Sequence, residues 1–329
     1  PLRAGPAVGG PGGLLDLLRW IGPVQTDGLP VLKSNPREDL KLDFGPTLPG
    51  HANGMILMAT DAQGDVILQE TYYSIGGGFV LTEKELTEGK ATDEGAPVPY
   101  PFKSAVEMLE MAEHSGKTIA ERKKSNGVAR GCHDSLTKGC ARIWQVMNDC
   151  IDRGLTTDGT LPGGLNVRRR AKAIHDALQA ERGMNLNAPH TINDWMSAYA
   201  MAVNEENAAG GQVVTAPTNG AAGVMPAVIR YWLDHVPGAT ASRIDEFLLT
   251  AAAIGGLVKF NASISGAEEG CQAEVGSASA MAAAGLCAVM GGPPEQGENS
   301  AEVALVPHHG VTRTAGKRRC AGPCPPRTR

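Results

Sequence analysis

The pattern of apolar and polar positions changes period along the chain. Met55 to Thr60 and Val66 to Tyr73 are apolar, β-rich runs separated by Asp61-Ala62-Gln63-Gly64-Asp65, which predicts a β-hairpin. The second run leads into Ser74 and the triple glycine Gly76-Gly77-Gly78. From there the period becomes helical. Ala105, Val106, Met108, Leu109 and Ala112 predict a helix over Ser104 to His114, with Gly116 as its stop. Glu121 to Gly131 is charged and reads as a solvated helix face or a linker. A helix capped by Asp134 and ending at Arg153 follows, with Gly154 after it. Ile143, Val146, Met147, Cys150 and Ile151 share one of its faces, so Cys150 reads as a core position rather than a ligand.

Leu161-Pro162-Gly163-Gly164 reads as a turn, and Arg168-Arg169-Arg170 opens a basic helix as a wet start or a subunit contact. Thr191, with Asp194 three residues on, predicts a capping box for a helix through Val203. Met225 to His235, Ile244 to Val258 and Ser277 to Met290 complete the clear helices. Beyond Tyr73 only Val213-Val214 hints at another strand. The first fifty residues are rich in Gly and Pro, with one short helix predicted over Leu14 to Ile21. The fold class expected is an α/β N-terminal domain over residues 1–100, then an all-α helical catalytic domain over 101–305 and a basic tail over 306–329.

Composition refines this picture. Aromatic residues are 4% of the 329, against 42% apolar overall, so the core must be built from Ala, Leu, Val, Ile and Met on closely approaching helices. Net charge is −5, and the last nineteen residues carry six Lys/Arg and no acid. The remainder therefore stands at −11 (24 cations against 35 acids), and an acidic body argues against nucleic acid as a partner. Seven irregularly spaced cysteines in a chain of this length fit cytoplasmic thiols or metal ligands better than a disulfide framework. The longest apolar run, Phe247 to Val258, is too short to span a bilayer, so no membrane is expected as a partner. The chain opens on Pro1 rather than Met, with no signal peptide, and its true start is expected upstream.

The candidate chemistry lies in two polar clusters at helix edges. One is Ile264-Ser265-Gly266-Ala267-Glu268-Glu269-Gly270-Cys271-Gln272-Ala273-Glu274-Val275-Gly276. The other is Asn204-Glu205-Glu206-Asn207, leading through Gly210-Gly211 to Ala216-Pro217-Thr218-Asn219-Gly220-Ala221. From spacing alone they are equally well loops with helix caps or parts of a site. Gly76-Gly77-Gly78 is either a hinge after a strand or a backbone cradle for an anion.

Several stretches in one order resemble the bacterial iron–sulfur L-serine dehydratases, also called L-serine ammonia-lyases. They are Asn53-Gly54-Met55, Tyr72 to Phe79, Pro99 to Ser104, Ala202 to Gly211, Thr215 to Ala221, Asn261 to Ala267 and Gly270 to Leu286. The similarity runs from about Gly50 to Glu302. It implies a lyase converting L-serine to pyruvate and ammonia in the cytoplasm, as a homodimer, with the substrate between the two domains. It also implies a [4Fe–4S] cluster as cofactor, with Cys271 mapping onto one ligand. Ser74, Gly76, Gly77, Gly78, Lys103, Thr218 and Asn219 become candidates for substrate contacts.

Elimination from serine needs loss of a weakly acidic α-proton and departure of a poor leaving group. A pyridoxal Schiff base serves the first need, and a Lewis acid on the hydroxyl serves the second. Pro101-Phe102-Lys103-Ser104-Ala105 superficially resembles the lysine segment of pyridoxal serine/threonine dehydratases, but there the lysine precedes the glycine loop, the reverse of the order here. The resemblance selects the iron–sulfur solution, in which three cysteine ligands leave one iron free.

Departures lie at both ends. The family's two N-terminal histidine motifs have no counterpart, so the general base is unassigned and His51 is the one nearby candidate. The two further cluster cysteines, eleven apart in the family, are replaced by Cys320 and Cys324, four apart beside prolines in a segment that reads as out of frame. A chain truncated or altered at its ends, with little activity of its own, is the resulting expectation. An inactive remnant of the family is the competing reading.

Overall fold

The computed structural model describes residues 41, 43, 45–75, 80–89, 97–162, 165–182, 190–262 and 271–312. They are mostly helical, with one small antiparallel sheet towards the N-terminus, as the pattern predicts in outline. The turn at 163–164, the helix expected at 14–21, Gly76 to Gly78, and Cys320 and Cys324 lie outside the described residues. Contacts divide the chain into two compact units.

The first unit includes residues 146–213. It holds the second half of helix α4 (His133–Thr156), helix α5 (Ala171–Glu181) and helix α6 (Thr191–Ala208). Gly154 was expected to follow the α4 helix; instead it lies inside it, because α4 crosses the backbone of α6 there. A β-carbon on Gly154 would lie 2.3 Å from the carbonyl oxygen of Ala202. The capping box expected at Thr191 does not form. His190 is the N-cap without a side-chain cap bond, and Thr191 is already helical.

The two acids of Asn204-Glu205-Glu206-Asn207 are structural here. The Glu205 carboxylate accepts from the N–H groups of Arg170 (2.7 Å) and Ala171 (3.3 Å), satisfying the open first turn of α5, which has no side-chain cap of its own. Glu206 is paired with Arg153 at 3.2 Å and Arg169 at 2.8 Å. The triple arginine is therefore not a wet helix start throughout, since the Arg169 side chain is only 7% exposed.

Cys150 is buried in this unit as its place on the apolar face predicts, and burial pushes its thiol up to about 11. The neutral form is thus favoured by folding. Stability is fully present below the ordinary thiol pKa of about 9 and is lost as pH rises through 11, by on the order of 2–3 kcal/mol. Urea unfolding at pH 8 and pH 11 should show this alkaline loss in the wild type. It should be missing from Cys150→Ala, which starts lower for lost packing.

The second unit includes residues 47–145 and 214–312. Strands β1 (Gly54–Thr60), β2 (Val66–Ser74) and β3 (Val80–Thr82) pair antiparallel in that order, and β1 and β2 are the predicted hairpin. Its turn is held by the Asp61 carboxylate, which accepts from the Gln63 and Asp65 N–H groups, with Gly64 at φ 93°. β3 was not expected, being three residues long, and Val213-Val214 is not a strand. The short helix α1 (Glu83–Thr87), closed by a Thr82–Glu85 capping box, follows β3.

Helix α2 (Ala105–Ser115) is the one predicted, with Ser104 as N-cap and Gly116 in the left-handed region that only a glycine adopts cheaply. Helix α3 (Ile119–Ala129) corrects the expectation of a solvated face or linker. Thr118 and Glu121 form a capping box, and Arg122 is 1% exposed. Its guanidinium donates to the carbonyls of Met108 and Thr118 while Nη2 has no partner among the described residues; burial lowers its pKa. The remaining helices are α7 (Val224–His235), α8 (Ile244–Asn261), α9 (Cys271–Val289) and α10 (Pro294–Thr312). α10 was not expected. Its Pro307 and His308-His309-Gly310 mask the helical pattern.

α9 is the centre of this unit, packing on α7, α8 and α10. Ala278, Ala280, Ala282 and Ala284 are buried along it, and Gly285 lies against the Phe247 ring of α8. Small residues thus let helices approach closely, as the scarcity of aromatics requires. The last carbonyls of α9, Ala288 and Val289, accept from Arg243, whose guanidinium also pairs with Glu246. A cation at the helix C-terminus is favourable by charge and by hydrogen bonding alike.

Candidate functional site

The segment between the units' shared boundary and α7 carries Thr215 to Ala221. Thr215 Oγ1 donates to Asn219 Oδ1, and the Asn219 carbonyl accepts from the Ala222 N–H at 3.3 Å, so the loop closes on itself before α7 begins. Ala221 and Ala222 are buried beneath it. Thr218 is 6% exposed, and its Oγ1 has no hydrogen-bond partner among the described residues. A buried hydroxyl left unpaired costs about 1–3 kcal/mol, so such an atom calls for an explanation.

The start of α9 meets this loop. A β-carbon on Gly220 would lie 2.9 Å from Glu274 Oε2, so the carboxylate rests against the loop backbone where a glycine leaves room. Cys271 opens the same helix three residues earlier. Packing against three helices and the Arg243 contacts at the far end fix α9, and through it the position of this first turn.

Lys103 is exposed and held by its backbone. Its N–H donates to the Glu107 carboxylate at 2.6 Å, and its carbonyl accepts from Asn261 Nδ2 at 2.9 Å. Its Nζ lies 5.4 Å from the centre of the Phe260 ring. Lys103 is thereby tied to the C-terminal end of α8, the helix that leads through residues 263–270 into α9.

His51, just before β1, and Ser74, at the end of β2, are linked through the backbone of Asn53. The Asn53 N–H donates to His51 Nδ1 at 3.0 Å, and the Ser74 N–H donates to the Asn53 carbonyl at 2.9 Å. His51 is buried. Gly76 to Gly78 lie in the connection from β2 to β3, outside the described residues.

The fit to an iron–sulfur cluster is partial. A three-thiolate set needs two cysteines besides Cys271. Cys140 and Cys150 are buried in helix packing, Cys132 is exposed, and Cys287 is near the other end of α9. Among the described residues, no three His, Cys, Asp or Glu side chains gather as a metal site. The described residues therefore do not complete the ligand set. No helix among them is long and apolar enough to cross a membrane.

The pattern of apolar and polar positions gives Glu274 no role of its own. The signal was present in retrospect: it stands three residues after Cys271, one helical turn along, and a glycine faces it from the Thr218 loop.

The family model described as "Serine dehydratase alpha chain" matches residues 80–321, and the one described as "Serine dehydratase beta chain" matches residues 18–85. The L-serine dehydratase of Streptomyces coelicolor is 49% identical over 275 residues, covering 84% of this chain and 60% of its own length. L-serine dehydratase TdcG of Escherichia coli is 47% identical over 265 residues, 80% of this chain and 58% of its own. The L-serine dehydratase of Mycobacterium bovis is 45% identical over 283 residues, 84% and 60% respectively. The chain spans about three-fifths of the length of these relatives.

Proposed function

Because the chain belongs to the serine dehydratase family, we propose that it serves in the elimination of water from L-serine, giving aminoacrylate and then pyruvate and ammonia. The observation that carries this reading is the buried Thr218 hydroxyl, without a hydrogen-bond partner among the described residues, in a loop that meets the first turn of α9 at Glu274, three residues after Cys271. A protein keeps such an atom at a cost in stability, and a ligand is a sufficient reason. The matches do not favour the pyridoxal alternative.

In this reading Thr218 and Asn219 orient the substrate at the start of α9. Lys103, Ser74 and the backbone of Gly76 to Gly78 supply positive charge and donors for its carboxylate. The cofactor is a [4Fe–4S] cluster with Cys271 as one ligand and the others from outside the described residues; when bound it supplies a Lewis acid for the departing hydroxyl. The base is left unassigned, with His51 the one nearby candidate. The same reading assigns residues 1–100 to an α/β regulatory-type domain and 101–305 to the helical catalytic domain. It places the enzyme in the cytoplasm as a homodimer.

The test is anaerobic pyruvate formation from L-serine by this chain and by a chimera carrying the terminal segments of the Streptomyces coelicolor relative. The chimera is expected to turn over L-serine. Thr218→Val in it should lower turnover by roughly tenfold or more, while raising the unfolding midpoint, since an unpaired buried hydroxyl is removed. A chimera inactive under conditions where the relative is active overturns the functional reading. Thr218→Val with full turnover removes Thr218 from the site.

A further inference from the structure

L-Serine is a zwitterion, and a site that recognises it must satisfy an ammonium group as well as a carboxylate. The substrate contacts proposed above, Ser74, Gly76 to Gly78, Lys103, Thr218 and Asn219, are all neutral or cationic. They serve the carboxylate and the hydroxyl, and none supplies the negative charge that an ammonium requires. We propose that Glu274 supplies it, its carboxylate receiving the α-ammonium group of the amino-acid substrate beside the Thr218–Gly220 loop. This inference rests on the functional reading above and adds the residue that sets specificity for an amino acid over a hydroxy acid.

Three observations converge on Glu274. Its Oε2 lies against Gly220, at 2.9 Å from where a β-carbon would stand, so the negative charge sits beside the loop that carries Thr218 and Asn219. Thr218, two residues from that contact, carries a buried hydroxyl without a partner among the described residues. Glu274 is itself half-buried and is set on α9, whose packing on three neighbours holds it in place. A carboxylate withdrawn from bulk water attracts an ammonium more strongly than an exposed one. Gly220 has a role of its own here. Any side chain at that position displaces the carboxylate from the loop, and glycine keeps the two in contact.

Calorimetric titration of the full chain, reconstituted anaerobically, compares L-serine with 3-hydroxypropanoate, which keeps the carboxylate and hydroxyl but lacks the ammonium. The wild type should prefer L-serine. Glu274→Gln should weaken L-serine binding by about 10- to 100-fold, the range for loss of a charge-assisted hydrogen bond, and leave 3-hydroxypropanoate unchanged. Gly220→Ala keeps the charge but pushes it from the loop, and it should give a smaller loss confined to L-serine. It decides the matter if Glu274→Gln does not fold. An unchanged preference for L-serine in the variants, whether both ligands bind normally or both weaken equally, overturns the role of Glu274 and leaves the functional reading standing. A wild type that binds 3-hydroxypropanoate as tightly as L-serine overturns the role as well. A wild type that binds neither ligand overturns the functional reading and this inference together.

Discussion

Gly154→Ala is expected to destabilise the unit of residues 146–213 by about 3 kcal/mol or more, the upper range for overpacking a tight contact. The added methyl would meet the oxygen of Ala202 at 2.3 Å and its carbonyl carbon and Cα at 2.7 Å. All three are backbone atoms, so no rotamer change relieves the clash and α4 and α6 must separate. The matched control lies on the same helix. Gly139 has nothing within 4 Å of its β-carbon position, so Gly139→Ala should stabilise by about 0.5–1 kcal/mol through helix propensity alone. Urea unfolding of both variants, with hydrogen exchange over 191–208, gives the comparison. Equal effects of the two substitutions would mean that α4 and α6 do not cross at Gly154.

Glu206→Ala should cost about 3–5 kcal/mol, the range for breaking a buried ion pair from one side. The loss comes less from missing attraction than from what is left behind. Arg169, with its side chain 7% exposed, keeps its charge and loses its partner. Arg153 is less affected, because its side chain is 42% exposed and it also donates to the Gln212 carbonyl at 2.9 Å. The double variant Glu206→Leu with Arg169→Met should therefore recover most of the loss, since it removes both charges and fills the volume. Denaturant unfolding of the single and double variants measures the coupling. Additive losses would show that Arg169 and Glu206 are not paired.

The elements with one strong local signal were legible. The β1–β2 hairpin announces itself by two β-rich runs around an Asp/Gly turn, and α2 by its apolar spacing between Ser104 and Gly116. Elements whose local signal is mixed were not. α3 carries Glu121, Arg122, Lys123 and Lys124 in succession, which is the composition of a solvated face. Yet Arg122 turns inward because backbone carbonyls of Met108 and Thr118 are there to receive it. α10 was missed because a proline and a histidine pair interrupt its pattern, although it packs along the length of α9. The candidate site divides the same way. Thr218, Asn219 and Cys271 stood out by motif, while Glu274 gained meaning only when Gly220 was found against it.

By itself, the sequence of this protein determined its family, its helical class, the hairpin and the need for small residues at helix contacts, because these follow from periodicity, composition and motif order. Tertiary structure decided which charges are structural and which face the loop at α9. Asn204-Glu205-Glu206-Asn207 and the run around Glu274 look alike as polar clusters at helix ends. Glu205 caps α5 and Glu206 pairs with two arginines, whereas Glu274 meets a glycine beside a hydroxyl that has no partner among the described residues. The difference lies in partners that are 35, 37, 53 and 54 positions away in the chain. A carboxylate acts through whatever its charge meets across a few ångströms, and that distance is set by packing rather than by neighbours in sequence.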